Sequence, residues 1–153
     1  MSRGGALRRA AAGPRARLGE DRGSGAAAVI IFAVLFLAIA AFVIDGGLSI
    51  SQRERAADYA EQAARYAAQD LDQEALREGR PAINFANCGA RVRAFVREAG
   101  LSGADVAGSR CTSATAERVE VEIQLTYEPV LTGLFYQGSI TVHGSSAAET
   151  RTD

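Results

Sequence analysis

The sequence has few of the residues that catalytic and metal sites use. Its 153 residues include one His and two Cys. A lone histidine, His143, and two Cys that lie far apart in the chain make a poor ligand set for a metal ion. No glycine-rich loop joins a strand to a helix to hold a phosphate. We therefore expect no catalytic residue, no metal, no cofactor and no small-molecule substrate; the role of His143 is left open.

Residues 26–44 form an apolar run that organises the chain. These nineteen residues are twelve Val, Ile, Leu or Phe and seven Ala. As a helix the run would be about 28 Å long, close to the hydrocarbon thickness of a bilayer. It lacks the polar face that a surface helix of a soluble domain has. We predict a transmembrane helix at residues 25–45, in contact with membrane lipid. The alternative is a cleaved signal peptide, which the small residues just after the run would suit, although its apolar core is usually shorter.

Charge is distributed unevenly about this run. Residues 1–24 carry six Arg and two acidic residues, whereas residues 45–153 carry eleven Arg and sixteen acidic residues. Basic residues beside a span mark its cytoplasmic side. We therefore predict a disordered cytoplasmic tail at residues 1–24 and an extracytoplasmic domain at residues 46–153. A basic tail can also bind nucleic acid, but this one lacks aromatic residues and adjoins a span, so no nucleic-acid partner is expected.

After the span the periodicity is first helical. Alanines recur at three- and four-residue spacing through residues 48–78, which predicts a long helix that extends the span. A shorter helix is predicted from residue 84 or 87 to residue 99. Val92, Phe95 and Val96 would form its apolar face, and Gly100 would end it.

Beyond Gly100 the period changes to two. Apolar and polar residues alternate through residues 119–127, which predicts a strand with one buried face. Further strands are predicted at residues 106–111 and 139–148, with Ile140 and Val142 as core residues of the last one. The predicted fold class is α+β, with a three-stranded antiparallel sheet packed on helices.

Small residues along the span and the helix that follows it predict an assembly surface. Small side chains let helix axes come close, and in lipid such packing drives helix association. The sheet would compete for part of this surface. The residues that we assign to it are Ala33, Ala40, Gly46, Gly47, Ala56, Ala60, Ala63 and Ala67.

The two cysteines lie in the predicted extracytoplasmic domain. Thiols in an oxidising compartment commonly form a disulfide, so we predict a bond between Cys88 and Cys111. Two free thiols are an open alternative, and a metal site is a weaker one.

Short motifs give the sequence a family resemblance. The segments EDRGS at residues 20–24, DGG at residues 45–47 and RERAAD at residues 53–58 resemble TadE/TadG-like proteins of Flp-type, or tight-adherence, pilus systems. The later segments YEP at residues 127–129 and SITV at residues 139–142 are similar to the extracytoplasmic part of TadE-like members.

The resemblance implies a pilin-like fold and a role as a minor pseudopilin-like component of a bacterial pilus-assembly or secretion system. Its implied partners are other pilus or pseudopilin subunits and inner-membrane platform proteins. In two respects the sequence departs from the family pattern. Ala28 stands where a prepilin-peptidase substrate often has Glu, and the Asp-x-Ser-x-Ser motif of larger TadG-like adhesion domains is missing. The alternative function is a membrane-tethered binding or sensor domain unrelated to pili.

Overall fold

The computed structural model describes residues 21–134 and 138–150. Residues 1–20 of the predicted disordered tail lie outside the described residues. The chain divides into two compact units, with the boundary between Ile39 and Ala40. The first unit contributes only helix to the described residues, and the second contains every other helix and strand.

The first helix, α1, covers Asp21–Ala68. It therefore contains the whole apolar run and the first two-thirds of the predicted Ala-rich helix, but it ends ten residues before Glu78. The chain leaves the helix because Leu71 forms an antiparallel bridge with Ile83. The carboxylate of Asp72 then accepts hydrogen bonds from the backbone N–H groups of residues 74 and 75, which caps a separate short helix, α2, at Gln73–Arg77.

Helix α3 covers Cys88–Glu98 and follows a 3₁₀ turn at Phe85–Asn87. Val92 and Val96 are buried on its apolar face, as the periodicity predicts. Gly100 has a φ of +76°, the left-handed conformation that commonly ends a helix, so its predicted role is confirmed.

The strand predicted at residues 106–111 is wrong in its first half. Residues Gly103–Gly108 form helix α4 instead. Ser102 caps this helix, because its hydroxyl accepts a hydrogen bond from the backbone N–H of Asp105 and donates one to the Asp105 carboxylate. Val106 is thus buried from a helix, and strand β1 begins only at Arg110.

Strands β1 (Arg110–Ala114), β2 (Arg118–Tyr127) and β3 (Ile140–Glu149) form an antiparallel sheet in the order β1-β2-β3. The α+β fold class with three antiparallel strands is confirmed. The prediction for Ile140 is wrong: its side chain is 39 % exposed, since it pairs with Tyr127 at the open end of the sheet. Val142 is buried, as predicted.

The core lies between the sheet and the second half of α1. Large aliphatic residues come from β2 and α3, whereas α1 contributes mainly alanines. The buried residues of the larger cluster are Ala60, Ala63, Ala64, Ala67, Ile83, Cys88, Val92, Val96, Val106, Val119, Val121 and Ile123.

Candidate functional site

The apolar run within α1 is exposed at every residue except Ala40 and Ala41, which are half-buried. None of its residues is buried. Phe36, near its middle, is 72 % exposed. By length and composition this helix is long and apolar enough to cross a membrane. It is therefore a candidate membrane anchor, since a surface this apolar needs lipid or another protein to cover it.

The predicted assembly residues fall into two groups. Ala33, Gly46 and Gly47 are exposed on α1, and Ala40 is half-buried. Both glycines lie inside the helix, which continues past them to Ala68. The four residues further along, Ala56, Ala60, Ala63 and Ala67, are completely buried.

The buried alanines pack against the protein's own sheet and helices. A second subunit could reach them only by displacing that sheet. An assembly surface that involves these four residues therefore competes with the fold itself, whereas Ala33, Gly46 and Gly47 are accessible.

Gly144 of β3 marks the closest approach between the sheet and α1. A Cβ atom at this position would lie closer than 3.0 Å to the backbone of Ala56 and Ala57, a separation that real Cβ atoms essentially never show. The strand and the helix therefore meet backbone to backbone. Gly144 is not among the residues predicted from the sequence, although a lone glycine inside a strand pattern is a signal for such an approach.

Asp45, the residue that follows the apolar run, ties α1 to the connection between β2 and β3. Its Oδ1 accepts hydrogen bonds from the backbone N–H groups of Val130 and Leu131, at 3.0 and 3.2 Å. Its Oδ2 accepts a third from the N–H of Thr132, at 2.6 Å. The residue is only 9 % exposed. No local pattern could reveal these partners, because they lie 85 to 87 residues away in the chain.

The disulfide joins Cys88, at the start of α3, to Cys111 in β1. The predicted pair is thus the bonded one in the structure. Helix α3 is also held to the end of α1. Asn87 donates a side-chain hydrogen bond to the Asp70 carboxylate at 2.6 Å, and the Arg91 guanidinium lies 4.1 Å from the centre of the Tyr66 ring.

Two further polar groups, His143 and Arg118, lie on the sheet. His143 is exposed on the solvated face of the sheet, opposite Gln124. Hydrogen bonds to Glu149 and Glu120 raise the pKa of Arg118 above its ordinary value, and the bond to Glu149 connects the start of β2 to the end of β3. Within residues 21–134 and 138–150 there is no group of three or more His, Cys, Asp or Glu that could hold a metal ion.

Comparison with known families locates the resemblance on α1. Residues 23–70 match the family described as "Putative Flp pilus-assembly TadE/G-like". Residues 23–70 of this chain are thus similar to this TadE/G-like family. The matched segment covers the whole apolar run and the buried alanines, so the resemblance noted in the sequence is confirmed there. The match indicates a role in Flp pilus assembly.

Residues 71–153 lie outside the matched segment. No curated protein and no solved structure matches the chain.

Proposed function

We propose that this chain is a membrane-anchored, minor pseudopilin-like component of a Flp pilus-assembly or secretion system. Its role is structural, and it acts through association of its N-terminal helix with other subunits. The observation that carries the proposal is the family match over residues 23–70 together with the exposed apolar surface of residues 26–44.

The proposed contact surface is the membrane half of α1. Beyond the membrane the alanine face of α1 is already covered by the protein's own sheet. Within the span, Ala33 is exposed between bulky neighbours such as Phe32 and Phe36. A small residue there leaves a notch into which a second helix can pack. The proposed partners are other pilus or pseudopilin subunits and inner-membrane platform proteins, with lipid around the rest of the span.

The proposed topology follows the arginine distribution. Residues 1–24 are cytoplasmic, residues 25–45 cross the membrane once, and residues 46–153 are extracytoplasmic. This orientation places Cys88 and Cys111 in the oxidising compartment that their disulfide requires.

Replacement of Ala33 by Leu tests the contact surface. Leu keeps the span hydrophobic but fills the notch and pushes a neighbouring helix away. If the lost packing is worth about 1 kcal/mol, association should fall roughly fivefold. Site-specific cross-linking in membranes of the producing cell, together with pilus counts, would measure the change.

Ile31→Leu is the matched control, because it exchanges isomeric side chains at an exposed site in the same span. Both variants should insert into the membrane at normal levels, and only Ala33→Leu should reduce cross-linking and pili. Normal assembly in Ala33→Leu and in Ala40→Leu would move the interface to the extracytoplasmic domain.

A further inference from the structure

Residues 130–132, at the start of the connection between β2 and β3, lie directly beside the end of the apolar run. Residues 40–44, the last five of that run, belong to the same compact unit as the sheet and its loops. Asp45 follows them at once and accepts hydrogen bonds from three successive N–H groups, those of Val130, Leu131 and Thr132. Because a helix rises about 1.5 Å per residue, the loop backbone meets the helix within one turn of the last apolar residue.

Exposed apolar side chains occur both at the end of the apolar run and in this loop. Phe42, Val43 and Ile44 are exposed on α1. In the loop, Val130 is 61 % exposed, whereas the neighbouring Pro129 is buried and Leu131 half-buried. Val130 is thus an exposed apolar residue whose backbone N–H is bonded to the residue that directly follows the apolar run.

The hydrogen bonds to Asp45 are also compatible with a position close to the hydrocarbon of a membrane. A backbone N–H group that approaches hydrocarbon without a partner costs several kcal/mol. Asp45 gives a partner to three consecutive N–H groups of the loop. These three N–H groups of the loop therefore keep a hydrogen-bond partner where water is scarce.

We propose that residues 129–132 of the β2–β3 connection rest on the membrane surface with Val130 inserted at the lipid interface, and that the Asp45 carboxylate holds them there. The inference depends on the proposed membrane anchoring by residues 26–44. The membrane would then contact the chain at two places, the span and the loop, which limits how far the domain can tilt. Lipid is the expected occupant because the exposed valine adjoins the end of the span.

The chain contains no Trp, so a single introduced Trp reports its own surroundings. The test places one at Val130, one at Phe36 in the span, or one at Phe85. Phe85 is exposed and follows Asn84, whose N–H bonds to the Asp70 carbonyl beyond the far end of α1. Each full-length variant is reconstituted in three kinds of phosphatidylcholine vesicle: without bromine, with bromine on the acyl chains near the headgroup, and with bromine on the acyl chains near the middle of the bilayer.

Brominated lipid should quench the Trp at Val130 and the Trp at Phe36, and should leave the Trp at Phe85 bright. If the Trp at Phe36 is quenched and the Trp at Val130 is not, the loop does not touch lipid, and the anchoring proposal survives alone. If neither is quenched, both proposals fail.

Asp45→Asn in the Val130→Trp background tests the role of the carboxylate. The amide oxygen can still accept from Val130 and Leu131, but the amide nitrogen meets the N–H of Thr132, and two donors then face each other. Quenching of the Trp at position 130 should therefore decrease, while that of a Trp at Phe36 in the same Asp45→Asn background stays unchanged. Undiminished quenching at position 130 would show that Asp45 does not hold the loop on the membrane.

Discussion

The two halves of α1 use the same residue type for opposite purposes. In residues 26–44, alanines are mixed with large apolar side chains on every side, and nearly all of them are exposed. In residues 56–67, five of the six alanines are buried along one side, while charged residues occupy the other. Glu61 and Arg65, for example, form an exposed ion pair. Alanines thus leave notches in an exposed surface in the first half of α1, and they form a buried packing face in the second half.

The size of the side chain explains the second use. Alanine adds one methyl group, so a sheet that packs on an alanine face can come unusually close. Gly144 completes this arrangement from the side of the sheet, because it brings the β3 backbone directly against the backbone of Ala56. The close contact is possible only while both surfaces stay small.

The largest effect is predicted for a substitution that prevents this close approach of β3 to α1. Gly144→Val should destabilise the domain by at least about 3 kcal/mol, at or above the upper end of overpacking effects, because backbone on both sides must move. Thermal unfolding of the full chain in detergent, followed by circular dichroism, would measure it. Ser145→Val is the matched control: the site is exposed on β3, so a change within about 0.5 kcal/mol is expected. Equal melting temperatures for the two variants would refute the close-contact explanation.

Removal of the disulfide should have the next largest effect on stability. It would also distinguish the unfolding of one half of α1 from that of the other. Cys88 and Cys111 are 23 residues apart, and a loop of that size contributes about 3 kcal/mol in the chain-entropy model. A Cys88→Ser, Cys111→Ser variant should therefore unfold at lower temperature or denaturant concentration. Residues 26–44 lie outside the loop that this disulfide closes. Their helical signal in micelles should therefore persist after the domain has unfolded. Simultaneous loss of both would mean that the halves unfold as one unit.

The sequence was most informative where periodicity was long. The alternation through residues 119–127 and the apolar stripe of α3 predict their elements almost to the residue. The wrong predictions have two kinds of cause, a local helix cap and a tertiary contact. Val106 belongs to a helix because Ser102 and Asp105 cap it, a pattern that is visible in the sequence but is outweighed there by the alternating apolar residues nearby. The early end of α1 follows from the Leu71–Ile83 bridge, a tertiary contact that no helix propensity reflects.

The candidate site was predicted less completely than the fold. The apolar run identifies the candidate membrane anchor in α1 directly, and the matched family segment covers it. By contrast, Asp45 and Gly144 act through partners that are 85 or more residues away in the chain. Composition and residue spacing do not predict contacts between residues so far apart in the chain. The assembly role of the exposed small residues stays a prediction.

The same substitution in both halves of α1 gives the most direct test of the comparison, with the smallest effects. Ala60→Leu forces a larger side chain into the packed core and should cost about 1–3 kcal/mol of unfolding free energy. Ala33→Leu adds the same three carbons to an exposed position in the span and should leave the unfolding of the domain unchanged. Circular dichroism melts of the two full-length variants in one detergent would compare them. If Ala60→Leu is as stable as Ala33→Leu, the alanine face tolerates bulk, and small size is then not what lets the sheet pack on α1.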